Sequence, residues 1–333
     1  MNKFKPSILN PIHTSMLIIP EKADPELDSI AAAWETEGGS VLRLGRFWEP
    51  FDTASLFPKL YGNEVFCRLI AQQADLRLVS PEDDLLLRID SRWLNRNISL
   101  IELSALLASG SAVQFPVFVK PLITKQFQPG VYRSALELHK ATEGLEIVEQ
   151  VIVSEVVSFS CEVRAFVFLG SVLALSIYEG FAEEEEAGLF IQGFLSESMS
   201  LLPVTCVVDF GFIEERGWSI IEFNPTWGSG LNGCDPKMVV KCIYYATENP
   251  AKNMDVIIAH AYSSNHEDVL LEDSICGCFY CLTIFDPCEI EEWIEDKKGT
   301  ALCPYCGIDS VIGESSGYPI TKEFLAEMQG YWF

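Results

Sequence analysis

The sequence has no apolar run long enough to cross a bilayer, and its opening, MNKFKPSILNPIHTSMLIIP, is interrupted by Pro6 and Pro11 before any signal-like core develops. A spanning helix needs about 20 apolar residues, so no membrane partner is expected, and the location expected is cytoplasmic. Positive charge is scarce as well. Lys and Arg total 23 against 48 Asp and Glu, a formal charge of -25. Nucleic acid is bound by replacing counterions with a basic surface, so it is not an expected partner. A few well-placed cations around a small phosphate ligand remain compatible with that sign. There is no internal repeat, and no low-complexity tract exceeds the four glutamates Glu183 to Glu186, which are read as a solvated loop or helix start.

What is present is a globular composition: 49% of the 333 residues are hydrophobic and 21% charged, enough for two or three compact units. Short apolar runs at SMLIIP and SVLRLGRF flank a helix-like stretch through SIAAAW, which predicts a small α/β lobe. LYGNEVFCRLIAQQADLRLV has helical spacing, and RWLNRNISLIELSALL is read as a further helix with Asn97 or Ser99 as its cap. VQFPVFVKPL, GLEIVEQVIVSEVV and EVRAFVFLGSVLALSIY are rich in β-branched and aromatic residues and are read as strands. VTCVVDFGFIEERGWSIIEFNP predicts two strands joined by a turn near Arg216 and Gly217. The turn-rich stretch ATENPAKNMD marks a boundary. The expected units are an N-terminal α/β lobe over 1–95, a central domain over 96–248 and a cysteine-bearing domain over 255–333.

The hairpin is the leading site. Glu222 and Asn224 share a strand face because side chains alternate, and Asp209 reaches that face if the strands pair. Two carboxylates and an amide are hard oxygen ligands suited to Mg²⁺. They lie inside the apolar runs VVDF and IIEF, where an unpaired charge costs several kcal/mol, so a cation or a hydrogen-bond network is implied. Lys120, ending VFVK just before Pro121, needs an anion for the same reason; phosphate is one choice and an ordinary ion pair the other.

Over roughly residues 90 to 245 these motifs resemble, in order, the ATP-grasp superfamily, whose two α+β lobes hold ATP between them. The resemblance implies an α+β fold with Lys120 on phosphate, and with Lys125 and Gly130 in the loop covering the phosphates. It places Glu155, Val156 and Ser158 at the adenine edge and Glu162, seven residues after Glu155, on the ribose. Asp209, with Glu-x-Asn thirteen residues on at Glu222 and Asn224, has the spacing of the superfamily's Mg²⁺ set. The usual upstream lysine is missing, with Arg96 near its place. The arginine often found two residues before the metal Asp is Val207, leaving Arg164 as the phosphate partner. The pattern resembles the clade marked by two arginines and a lysine. Arg96, Arg164 and Lys120 are then the catalytic cations of an ATP-dependent carboxylate–amine ligase that works through an acylphosphate on small-molecule or peptide substrates. The alternatives are a non-catalytic nucleotide sensor or partner-binding protein, and phosphoryl transfer to another acceptor.

Cys278-x-x-Cys281 and Cys303-x-x-Cys306, separated by 21 residues, have zinc-ribbon spacing, so four thiolates are expected to hold a structural Zn²⁺. His260 and His266 are left out of that set. From about Asp255 onward the sequence resembles a small uncharacterised bacterial cytoplasmic protein family, which adds no activity but leaves the zinc domain as a candidate surface for a protein partner.

Overall fold

The computed structural model describes residue 12 and residues 15–45, 57–108, 113–123, 126–146, 148–248, 256, 259–296 and 298–333. Two compact units emerge. One comprises Met16–Gln73 with Leu78–Thr247; the other contains Ala74–Arg77 and the described residues from Glu248 to Phe333.

The larger unit begins with β1 (Ser15–Pro20), α1 (Pro25–Thr36), β2 (Ser40–Leu44), β3 (Phe57–Leu60) and α2 (Glu64–Gln73). β1 and β2 pair in parallel within a sheet of order β2-β1-β3. The start of α1 is written in the sequence: the Asp24 side chain accepts from the amides of Glu26 and Leu27, Pro25 supplies a fixed φ, and Glu26 and Asp28 complement the helix dipole.

Next come β4 (Ile98–Glu102), α3 (Leu103–Leu107), β5 (Val117–Pro121), β6 (Gly130–Tyr132), α4 (Ala135–Ala141) and β7 (Gln150–Ser154). They form an antiparallel sheet of order β4-β7-β5-β6 over a core that includes Leu106, Val119, Leu138 and Val151. Here the helix expected across RWLNRNISLIELSALL is corrected. Ile98 to Glu102 is a strand paired with Ser154 to Gln150, and the helix is confined to Leu103–Leu107. Asn97 and Ser99 cap nothing, because pairing with a distant strand overrides the local helical spacing. In GLEIVEQVIVSEVV the strand occupies only Gln150–Ser154.

The third layer is a four-stranded antiparallel sheet of order β9-β8-β10-β11, built from β8 (Phe159–Phe168), β9 (Ser171–Gly180), β10 (Thr205–Ile213) and β11 (Gly217–Asn224). α5 (Glu184–Ser198) packs on one face, setting Ala187, Ile191 and Phe194 against Val163, Ala165, Val208, Phe210 and Ile220. The acidic run thus starts a helix, where the dipole favours it. α6 (Pro236–Tyr244) closes the unit, capped by Asp235.

In the smaller unit, β12 (Cys276–Cys278) pairs with β13 (Ile284–Phe285) and β14 (Val311–Gly313), and α7 (Lys322–Trp332) adds Leu325 and Met328 to a core with Phe279 and Ile312. Among the described residues no helix is long and apolar enough to cross a membrane.

Candidate functional site

Side chains of a strand alternate between faces, and on β8 and β10 the odd and even positions obey that rule. Cys161, Val163 and Ala165 of β8, with Cys206, Val208 and Phe210 of β10, enter the core beneath α5. Glu162, Arg164 and Asp209 therefore occupy the opposite face. β11 does not alternate throughout. Trp218 and Ile220 face the core, so an unbroken strand would send Glu222 there too. Instead Asp209 pairs with Glu222 while Phe210 pairs with Ile220, leaving Ile221 as an extra residue in a β-bulge. The inserted residue turns Glu222 and Asn224 to the face of Asp209 and puts Phe223 against the core.

The three oxygen-bearing residues are joined in one network. The Asn224 amide donates to Asp209 Oδ2 at 3.1 Å and to Glu222 Oε1 at 2.9 Å. Arg164 grips both oxygens of Asp209, from Nε at 2.8 Å and Nη2 at 2.7 Å, and donates from Nη1 to the Gly230 carbonyl at 2.8 Å. Asp209 is 2% exposed. Burial lifts its pKa, Arg164 pulls it back and Glu222 lifts it further, with a net rise. For Arg164, burial pulls downward but the bonds to Asp209 outweigh it, and the net direction is up.

Beside this network the Tyr178 hydroxyl donates to Glu162 Oε2 at 2.6 Å, and the Arg164 guanidinium lies 5.8 Å from the Tyr178 ring centre. Tyr178 occupies a second register shift, between Ile177 and Glu179. Its role had no sequence signal beyond its place in an alternating strand. Nor had that of Glu26, whose carboxylate accepts from the amides of Leu231 at 3.1 Å and Asn232 at 3.3 Å. Gly230 permits that approach, since a Cβ there would lie 2.9 Å from Glu26 Oε2.

Lys120 lies on β5 opposite Ile152. Burial lowers its pKa, Glu222 and Asp83 oppose the drop, and Arg96 adds to it. Among the described residues no hydrogen bond or ion pair holds its ammonium.

Arg96 is placed differently from a free phosphate ligand. It donates from Nε to Ser154 Oγ at 3.2 Å, from Nη1 to Ser219 Oγ and the Ile220 carbonyl, each at 2.6 Å, and to the Leu94 carbonyl at 3.2 Å, and from Nη2 to the Ile221 carbonyl at 3.1 Å. No carboxylate among the described residues pairs with it, and burial lowers its pKa to about 10.

At the turn from β7 to β8, Glu155 accepts from Arg216 Nη2 at 2.7 Å and from the Asn97 amide at 3.3 Å, which depresses its pKa, Arg216 first. Its side chain is thereby committed, while Val156 and Ser158 are exposed. Lys125 lies outside the described residues; Gly130 opens β6.

In the smaller unit Cys278, Cys281, Cys303 and Cys306 bring their sulfurs within 4.8 Å of one another, with 3.6 Å between Cys278 and Cys306 and between Cys281 and Cys303. A tetrahedron of thiolates about 2.3 Å from zinc has edges of about 3.8 Å, so the set fits. The two halves repeat one backbone design. Leu282 N donates to Cys278 O and Gly307 N to Cys303 O, each at 2.8 Å, while Cys278 N reaches Thr283 O and Cys303 N reaches Ile308 O. Leu282 and Gly307 both adopt positive φ, 59° and 76°. Cys278 is held well below the usual thiol range by the Cys303 thiol, then by Ser310 and the amides of Cys281 and Tyr280. His260 stacks on Trp332 at 3.8 Å between ring centres and does not join the cluster.

A two-lobed α+β frame with an acid–amide set on one strand pair and a desolvated lysine on the facing sheet is the arrangement of an ATP-grasp protein. Residues 93–242 match the ATP-grasp domain, family 2 of the clade named for two arginines and a lysine, and the chain is a member of the ATP-grasp superfamily. No curated protein matches it. Solved structures to which it is similar include the RimK domain protein ATP-grasp from Sphaerobacter thermophilus DSM 20745, at 13% identity over 69% of this chain and 99% of that one, TM-score 0.49. D-alanyl-alanine synthetase A from Vibrio cholerae O1 biovar eltor is 14% identical over 71% and 98%, TM-score 0.41. The L-amino acid ligase from Bacillus licheniformis is 11% identical over 66% and 69%, TM-score 0.43.

Proposed function

We propose that the protein is an ATP-dependent carboxylate–amine ligase. The observation that carries this reading is Lys120, a desolvated ammonium with no bonded partner among the described residues, set where it feels the Glu222 carboxylate and the Arg96 guanidinium. A lone desolvated cation is costly, and a polyphosphate relieves that cost. Asp209, Glu222 and Asn224 supply the oxygen donors for Mg²⁺, which draws charge from the phosphate oxygens when bound.

In this reading a substrate carboxylate oxygen attacks the γ-phosphorus of ATP and the bond to ADP breaks. The acylphosphate is opened by an amine, forming the amide and releasing phosphate and a proton. The chain positions the groups and balances their charge without a covalent nucleophile of its own. Lys120 faces the transferred phosphoryl group. Arg164 keeps Asp209 ionised and oriented, and Tyr178 fixes Glu162 for the ribose hydroxyls. The backbone after Ser154, at Glu155 and Val156, serves the adenine edge, since the Glu155 carboxylate is held by Arg216. The four cysteines hold Zn²⁺ in a closed thiolate set, which is a folding role.

Release of ADP by the zinc-loaded full chain, on mixing Mg-ATP with pools of amino acids, short peptides and amines, tests the reading. Amide product with one ADP per bond is expected, abolished in Asp209→Ala/Glu222→Ala. Nucleotide binding with no ADP from any pool turns the conclusion toward a nucleotide sensor, and a phosphorylated product without an amide turns it toward a kinase.

A further inference from the structure

The facing of the acid–amide set depends on one irregularity. Without the extra residue at Ile221, Glu222 would follow Trp218 and Ile220 into the apolar layer beneath α5, where Phe194, Phe210 and Ile191 leave a carboxylate no partner. A bulge breaks the ladder locally and leaves backbone groups to be satisfied by something else. In this protein the two carbonyls at the break, those of Ile220 and Ile221, both accept from Arg96.

The same guanidinium reaches Ser219 Oγ beside them, the Leu94 carbonyl before it, and Ser154 Oγ at the end of β7 in the facing sheet. Arginine has five N–H donors in a fixed planar fork. Nε–H, both hydrogens of Nη1 and one of Nη2 are directed at these five acceptors, so one N–H at most is left for a ligand. Every acceptor is neutral. The residue is therefore used for its fork, reaching several oxygens at once, and a lysine ammonium with three donors on one atom cannot reproduce that span.

We propose that Arg96 is a positioning residue that pins the bulge at Ile221, and so holds Glu222 and Asn224 on the face of Asp209, rather than a phosphate ligand. This inference rests on reading Asp209, Glu222 and Asn224 as the divalent-cation set. Loss of the pin lets the extra residue migrate along the hairpin, and the two donors of β11 then lose their fixed relation to Asp209.

The test uses Mn²⁺ as a spectroscopic probe, by electron paramagnetic resonance, on zinc-loaded full-length protein with a non-hydrolysable ATP analogue. Wild type is compared with Arg96→Met and Arg96→Lys, and the analogue is also titrated without any divalent ion. Groups that orient metal ligands are worth about 10- to 100-fold in metal affinity, so Mn²⁺ affinity is expected to fall by that factor in both variants. Lysine should not rescue it, and metal-free nucleotide affinity should hold within about twofold.

A phosphate ligand gives the reverse pattern: Arg96→Lys restores affinity, and Arg96→Met weakens metal-free nucleotide binding. That result overturns the proposal, as does Mn²⁺ affinity unchanged in both variants. Should Arg96→Met not fold, Arg96→Lys and Ser219→Ala carry the same comparison; Ser219→Ala removes one acceptor and is expected to lower Mn²⁺ affinity by about threefold. Absence of Mn²⁺ binding in wild type refutes the divalent-cation reading itself, and is thereby distinct from a failure confined to Arg96.

Discussion

Replacing Arg164 with alanine removes the cation from a pair whose side chains are 12% and 3% exposed and leaves Asp209 charged in an apolar sheet. The two bonds lost are 2.7 and 2.8 Å long, and breaking a buried pair from one side costs about 3–5 kcal/mol. For a unit of this size that is a fall in Tm of about 10 °C at neutral pH. Its pH dependence follows from the direction of the Asp209 shift. Burial raises the folded pKa above the unfolded value, so the native state holds more protons in that window, and stability is greatest below the unfolded pKa and lost as pH rises through the folded one. Without Arg164 the folded value rises further, so the deficit of Arg164→Ala should be largest near pH 8 and shrink toward pH 5. Adding Asp209→Asn should recover part of the loss, because no buried charge then lacks a partner. Differential scanning calorimetry of the larger unit reads all three. An Arg164→Ala variant that melts within about 2 °C of wild type at pH 8, with no pH dependence, refutes the argument.

Three further outcomes are expected. Stripping metal with a chelator should abolish the cooperative transition of the smaller unit, and one equivalent of Zn²⁺ should restore it; Cys303→Ser should prevent recovery, all followed by circular dichroism and metal analysis. Arg96→Ala should cost about 2–4 kcal/mol, because carbonyls on a buried bulge lose their donor, and denaturant titration measures it. Lys120 gives an alkaline signature: its folded pKa lies below the unfolded lysine value, so the burden of a desolvated ammonium is relieved as pH rises through the folded value. Stability should rise there while affinity for a nucleotide analogue falls, readable by melting and titration between pH 8 and pH 10.5, just beyond the ordinary lysine value of about 10.4.

The parts legible in the sequence were those with local chemistry. The turn at Arg216 and Gly217 joined the strands carrying Asp209 and Glu222, and Gly217 does adopt a positive φ of 90°. The cysteine spacing announced two matching knuckles, since the C-x-x-C separation itself sets the tight turn. The bulge was not legible: Ile220 followed by Ile221 interrupts the alternation, but two apolar residues in a row do not say which one is extra. Ile98 to Glu102 was misread because its spacing is helical and its partner strand lies some fifty residues on. The contacts of Arg96 had no signature at all, since three of its five acceptors are backbone carbonyls. Glu155 was placed by resemblance, and only the folded chain shows that Arg216 takes its carboxylate.

The central claim is that Lys120 and the acid–amide set form a Mg-nucleotide site. Isothermal titration of the zinc-loaded protein with a non-hydrolysable ATP analogue, with and without Mg²⁺, on wild type and Lys120→Ala, tests it most directly. Magnesium-dependent binding weakened about 10- to 100-fold in the variant is the result predicted. No binding to folded wild type, or equal binding by Lys120→Ala, would contradict it.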